Sequence, residues 1–277
     1  MHQQHIPVAL ERCIELLTPS IERATLNRGR ALVVDATLGL GGHSRSLLER
    51  FPKLHIIAFD RDSDAIEIAR KNIGDFSDRI TIIHAVFDQI VSILEEMQIQ
   101  EIDGALFDLG VSSMQLDQGD RGFAYSIDAP LDMRMDQSSG SSARDILYGY
   151  DRSALIRILR AYGDEKFAPR IVDNIIAARS KSALNTTKDL ADLVKESIPA
   201  PARRTGGNPA KRTFQALRIE VNRELEAIEI AIPSTLKMLA VGGRIVVMSY
   251  QSLEDKIVKS NFAEVCKSLT PRDLPVE

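Results

Sequence analysis

Cysteine is scarce: the 277 residues contain two, Cys13 and Cys266, far apart and outside any C-x-x-C pattern. That argues against a disulfide scaffold and against structural zinc, and it fits a reducing compartment, the cytoplasm. The five histidines are scattered, none at ligand spacing from another, so no metal is expected. Long apolar runs are missing too. Nothing approaches the roughly 20 apolar residues of a membrane span. Residues 1–5 carry no basic region leading into an apolar stretch, so neither a membrane segment nor a secretory signal is expected. Acidic side chains are absent between Ser197 and Ile219, where Arg203, Arg204, Lys211, Arg212 and Arg218 all fall. With a net charge of −4, attraction to a polyanion must come from such a local patch. The patch also reads as a solvated basic loop. What remains is ordinary globular composition, 44% hydrophobic and 27% charged, in a chain long enough for one large domain and an insert.

Over the first 110 residues, four short runs rich in β-branched side chains alternate with helical patterns. The runs cover residues 31–36, 55–60, 79–87 and 103–109, and each reads as a buried strand. Between them, Asp62-Ser63-Asp64 opens a helix carrying Ile66, Ala69 and Ile73, and Asp88 is expected to cap another through Ile90, Leu94 and Met97. Strand–helix alternation with near-continuous apolar strands implies a parallel sheet covered on both faces. A fifth strand, residues 243–250, follows only after a long helical stretch. There Asp151 caps one helix, residues 168–179 form another, and Thr186 or Thr187 caps a third. A long helix over 214–239 leads back to the sheet, and the serine-rich 138–142 segment reads as a flexible joint. The layout is α/β: a Rossmann-like core of residues 1–110 and 213–277, interrupted by a mainly helical domain at 111–212.

The loop Asp35-Ala36-Thr37-Leu38-Gly39-Leu40-Gly41-Gly42-His43 follows the first strand and opens a helix. In open α/β sheets, ligands bind at that place, and glycine lets the backbone turn sharply and approach them. The next strand ends at Asp60, whose carboxylate can accept both ribose hydroxyls of an adenosine, each such bond contributing roughly 1.5–3 kcal/mol. A dinucleotide fingerprint needs a third glycine in G-x-G-x-x-G register, and none is present. Asp35 at the strand end would repel phosphate but suits an ammonium group, which favours S-adenosyl-L-methionine. Phe87 could cover the adenine, although a phenylalanine there also serves as core. Asp108, set among Ala105, Leu106, Phe107 and Leu109, must be paired or functional, because burying a lone carboxylate is costly.

These residues belong to a wider pattern. His5-Ile6-Pro7-Val8, the Asp35–His43 loop, Phe59-Asp60-Arg61-Asp62, Phe107-Asp108-Leu109-Gly110-Val111-Ser112-Ser113 and Gln115-Leu116-Asp117 come in order. They are followed by Arg121-Gly122-Phe123, Asp128, Pro130-Leu131-Asp132-Met133-Arg134-Met135-Asp136, Tyr162-Gly163-Asp164-Glu165, Arg212-Thr213-Phe214-Gln215-Ala216-Leu217-Arg218 and Ser252-Leu253-Glu254-Asp255. Taken together the chain resembles the bacterial 16S ribosomal RNA cytosine-N4 methyltransferases of the MraW type. The resemblance implies a class I methyltransferase core with an inserted helical domain, S-adenosyl-L-methionine as cofactor, and 16S rRNA within the small ribosomal subunit as substrate. It places the cofactor on Gly41, Gly42, His43, Asp60, Phe87, Asp108 and Gln115. Two departures stand out. The family's aromatic-His-Ser-Leu-Glu-Asp block has Gln251 in place of histidine, so no proton transfer is assigned there. The family pattern also continues past Glu277 into a segment that closes the sheet.

For amine methylation the nucleophile is the difficulty, since cytidine's N4 lone pair is delocalised into the ring. A carboxylate near the reacting carbon would localise it and take the proton. Asp108 is the candidate, unless it is occupied holding the cofactor, and Asp132 and Asp136 are its rivals if their segment is helical. A salt bridge of these acids to Arg134 is the plainer alternative. The target base must be unpaired or flipped. Phe123, Tyr125 and Phe214 are candidate stacking aromatics as well as candidate core, and Arg203, Arg204, Lys211 and Arg212 would hold phosphate. Other readings are a methyltransferase for a small molecule or protein, and a non-catalytic ribosome-assembly factor; a homodimer is compatible with all of them.

Overall fold

The computed structural model describes residues 7–112, 114–115, 119–203 and 207–267. Five strands form one parallel sheet: β1 (Ala31–Asp35), β2 (Leu54–Asp60), β3 (Ile80–His84), β4 (Ile102–Asp108) and β5 (Leu239–Met248), in the order β3-β2-β1-β4-β5. The order reverses between β1 and β4, so the crevice for a ligand opens above the carboxyl ends of those strands. Three of the four residues closing β1, β2, β3 and β4 there are aspartates: Asp35, Asp60 and Asp108.

Helices cover both faces of the sheet. Helices α1 (Leu10–Arg28), α2 (Gly42–Arg50) and α3 (Ser63–Ile73) pack Leu17, Ile21, Leu47, Leu48 and Ala69 against Val33, Ile56 and Leu106. The other face carries α4 (Ile90–Glu96). Two further helices of that face, at 224–237 and 252–265, place Ile228, Ile232 and Val258 against Val34, Ile57, Ala105 and Phe107. A separate apolar core lies between β4 and β5 in the chain. Its helices are α5 (Ala143–Gly149), α6 (Arg152–Gly163), α7 (Ala168–Arg179), α8 (Thr187–Ser197), the short α9 (Ala200–Arg203) and α10 (Lys211–Asn222). Ile146, Leu155, Leu159, Ile171, Leu190, Phe214 and Leu217 meet there. Three of the expected caps form: Asp62 accepts from the Asp64 and Ala65 amides, Asp151 from Ala154, and Thr186 makes a capping box with Asp189.

Several local expectations fail for identifiable reasons. The third strand stops at His84, and Phe87 opens a 3₁₀ turn, Phe87–Gln89. Asp88 lies inside that turn and gives α4 no cap. The serine-rich segment is pinned, not free: Asp136 accepts from Ser138 and Ser139, and Ser142 makes a capping box with Asp145. Residues 132–136 are not helical, and Asp132 holds Arg134 through two bonds of 2.8 and 2.9 Å. The long helix over 214–239 is two helices, α10 and α11 (Glu224–Lys237), parted at Arg223, whose φ is 49°. Arg218 spans the break to the buried Glu224 at 2.8 and 3.0 Å, and Asn222 donates to the Met133 carbonyl while accepting from the Met135 amide. Those contacts turn the chain from the helical core to the sheet.

Candidate active site

A cleft of 1170 Å³ opens above β1, β2 and β4. That exceeds the roughly 300–1,000 Å³ of ordinary small-molecule pockets, leaving room for a substrate beside a cofactor. Gly41, Gly42, His43, Asp60, Phe87, Asp108 and Gln115 all line it. So do Lys211, Gln215 and Arg218 from α10, and Tyr250 and Gln251 from the segment after β5.

The floor begins with the β1 loop. The Gly39 amide donates to Asp60 at 2.7 Å, and the Asp62 amide donates to the other Asp60 oxygen at 2.9 Å. Each oxygen keeps a lone pair for a ligand. Burial pushes the Asp60 carboxyl up to about 6 against those two bonds. Gly41 sits at φ 82° and caps α2, and a Cβ there would meet Ile73 at 3.2 Å. A Cβ on Gly42 would strike Pro7 at 2.4 Å. The glycines are thus required by the turn and by packing, quite apart from any ligand.

Asp35 corrects an expectation. Instead of facing an ammonium group, it is buried, accepting from the Ser44 hydroxyl at 2.6 Å and the Thr37 amide at 3.2 Å. It is not a lining residue of the cleft. Burial raises its carboxyl above the ordinary range, against the Ser44 bond. Its work is to tie the loop to the first turn of α2.

His43 is buried, its Nε2–H donating to the Val8 carbonyl at 3.1 Å. That bond puts the proton on Nε2 and turns Nδ1 toward Asp108, 4.0 Å from Oδ2. Asp108 Oδ1 accepts from the Tyr250 hydroxyl at 2.6 Å, and the Asp108 amide donates to the Thr37 hydroxyl at 2.6 Å. Gln115 is buried and engaged at both ends, donating to Asp62 at 2.9 Å and accepting from the Ser112 amide at 3.1 Å. The same Asp62 oxygen takes the buried Arg121 guanidinium at 3.0 Å, so the Arg121–Asp136 segment is anchored under the cleft wall. Phe87 presents its ring beside Phe107, edge to face at 5.8 Å.

Other candidates fall elsewhere. Asp132 and Asp136 are not lining residues. Burial works against ionisation of Asp132, but its bonds from Arg134 hold the carboxyl below the usual range. Phe123 and Phe214 are core, and Tyr125 packs edge to face on Phe214 at 5.9 Å. Of the basic residues, Lys211 reaches the cleft, whereas Arg203 donates to the Ile198 and Glu196 carbonyls and Arg212 to Asp164. Arg204 lies outside the described residues. Gln251 makes a capping box with the buried Glu254 and accepts from Gln215 at 2.9 Å, a structural role. Sequence reasoning gave Tyr250 no role; its place beside Ser252–Asp255 was the available signal.

Among the described residues, no group of three or more His, Cys, Asp or Glu is placed to hold a metal ion, and no helix is long and apolar enough to cross a membrane.

The parallel sheet, the acidic strand ends and the loop-bounded crevice define a class I methyltransferase core, here interrupted by a helical unit. The model of the MraW methylase family matches residues 2–277, and the chain belongs to that family. It is 53% identical over 274 residues to a ribosomal RNA small subunit methyltransferase H of Renibacterium salmoninarum, covering 99% of this chain and 83% of that one. Against the protein of the same name from Mycolicibacterium smegmatis it is 56% identical over 273 residues, covering 99% and 73%. The protein is therefore a methyltransferase. A solved rRNA methylase from Streptococcus thermophilus overlays 41% of this chain and 59% of its own at 18% identity and a TM-score of 0.29, too little shared shape to bear on function.

Proposed function

We propose that the protein methylates the N4 amine of a cytidine in 16S ribosomal RNA, using S-adenosyl-L-methionine. The observation that carries this reading is the convergence of Asp60, Phe87, His43 and Asp108 on one cleft, in a chain more than half identical to small-subunit rRNA methyltransferases over nearly its whole length. The donor set suits the cofactor: Asp60 offers two oxygens to a ribose diol, Phe87 a face for adenine, and the Gly39–His43 loop a close backbone approach. Gln115 and its partner Asp62 steady the wall beside it. Bound there, the cofactor supplies an electrophilic methyl carbon on a sulfonium that leaves as a neutral thioether.

The chain's own work is done at the amine. Asp108 is held through Oδ1 by Tyr250, and its Oδ2, 4.0 Å from His43 Nδ1, is the oxygen left for the amine. That carboxylate accepts a hydrogen bond from the N4 group, which localises the nitrogen lone pair. On methyl transfer, the surplus amine proton would pass to Asp108 and on to solvent. His43, fixed by its bond to the Val8 carbonyl, packs beside that carboxylate. Lys211 and the other α10 residues that face the cleft hold the RNA strand. The helical unit of α5–α10 acts in this scheme as the substrate-recognition domain set into the sheet core, and the substrate is the assembled small subunit.

The test is methyl transfer from labelled S-adenosyl-L-methionine to small ribosomal subunits lacking the modification, followed by nucleoside analysis. Label in N4-methylcytidine is expected. Label confined to another nucleoside, or to protein, would replace this reading by a different methyltransferase activity.

A further inference from the structure

The sheet divides the cleft into two halves. Asp60 closes β2, and Phe87 follows β3, so the residues that would hold the ribose and adenine of the proposed cofactor lie on the β2–β3 side. The other half, above β4 and β5, is bounded by Asp108, Gly110, Gln215, Gln251 and Tyr250. Among the described residues that bound it, Tyr250 is the aromatic one. It is 55% exposed, unusual for a large ring in a cleft wall, yet it is fixed at both ends. Its hydroxyl donates to Asp108 at 2.6 Å, and its amide donates at 2.9 Å to Glu254, itself buried. Next to it the backbone at Gly110 takes φ 97°, and a Cβ there would lie 3.6 Å from the ring edge. Burial and the adjoining carboxylate raise the phenol above its ordinary range, so the hydroxyl stays a donor at neutral pH.

We propose that the Tyr250 ring is the platform on which the target base stacks, with Asp108 fixing the ring's tilt through the phenolic hydroxyl. The inference rests on the RNA-methylating function proposed above and adds the residue that receives the base. An aromatic ring held at its hydroxyl, on a backbone held at its amide, loses little freedom when a planar ring settles on it, which is what a stacking site requires. The same hydroxyl bond ties the platform to the carboxylate that takes the amine proton, so base position and proton acceptor are set by one contact. Phe123, Tyr125 and Phe214, the other aromatics with a claim to this work, are spent in the helical core.

The experiment compares Tyr250→Phe and Tyr250→Leu in methyl transfer to unmodified small subunits, with cofactor affinity measured separately by calorimetry. Leucine keeps apolar bulk without a planar face, and phenylalanine keeps the face without the hydroxyl. The expected result is a KM for subunits raised roughly tenfold to a hundredfold in Tyr250→Leu, the range found for lost base stacking. Tyr250→Phe should keep KM within about threefold and lose mainly kcat, and both variants should bind cofactor as the parent does. Equal KM values in all three proteins would overturn the proposal. So would a KM rise of the same size in both variants, which would make the hydroxyl the binding element. A parent protein that binds cofactor and methylates no RNA would remove the broader reading, and this one with it.

Discussion

Asp60 carries the sharpest expectation at the scale of single residues. Its carboxyl is raised to about 6 from an ordinary 3.8 by burial. A raised folded-state value means that protonation favours the folded chain: the contribution is complete below about pH 4 and is lost as pH rises through 6. Cofactor binding runs the other way, because two ribose hydroxyls need an ionised acceptor. Affinity for S-adenosyl-L-methionine should therefore fall as pH drops below about 6, measured by calorimetry between pH 5 and 8. Asp60→Asn should weaken binding by at least tenfold at pH 8, the loss of one charged hydrogen bond of roughly 1.5–3 kcal/mol, and should flatten the pH dependence. A variant that still weakens below pH 6 would assign the titration to another group. Asp35 shows the limit of reading such carboxylates from sequence. Its strand-end position was legible, but Ser44, nine residues on, takes the oxygen that a ligand would have used.

Among elements, the Arg121–Asp136 segment is held by backbone geometry more than by regular structure. Gly122 sits at φ 75°, and a Cβ there would come within 2.3 Å of the Pro130 carbonyl oxygen. Neither backbone can yield cheaply, so Gly122→Ala should lower the stability of the protein by several kcal/mol, beyond the roughly 1 kcal/mol of helix or turn propensity alone. A thermal melt within 2 °C of the parent would refute that, since about 1 kcal/mol already shifts a chain of this size by roughly 2–4 °C. The strands β1, β2 and β4 were readable because β-branched runs bounded by turns leave few alternatives. Arg223 was not: Asn222-Arg223-Glu224 contains neither glycine nor proline, and the break is imposed from outside by the Arg218–Glu224 pair and by Asn222 reaching Met133 and Met135. Helical periodicity runs through the junction unchanged. The same holds for Phe87, where an apolar run continues past the last residue that can pair with β2.

For the whole molecule, the net charge of −4 leaves RNA binding to local cations, and the cleft selects among them. Lys211→Gln should shallow the dependence of RNA affinity on salt by about 0.7 in log–log slope, the share of one phosphate contact on a single strand, without changing cofactor affinity. Arg203→Gln should leave the slope nearly as it is, because that guanidinium is turned onto the Ile198 and Glu196 carbonyls. Equal slopes in Lys211→Gln and the parent, measured by filter binding between 50 and 300 mM salt, would take Lys211 out of the interface. The helices that separate β4 from β5 could be read from sequence because a parallel strand pair tolerates a long crossover. The packing of α10 against the helical core could not, since its apolar face fits either partner. That crossover has a consequence for how the chain is made. β4 leaves the ribosome well before β5, with the whole helical unit between them, and in the folded chain β4 is buried over nearly its full length. At about 5–20 residues per second, the nascent sheet waits on the order of ten seconds with its β4 edge unpaired. Until Leu239 emerges to pair with Ile102, the half-made enzyme presents the kind of edge that chaperones bind, and synthesis speed through the insert becomes part of its yield.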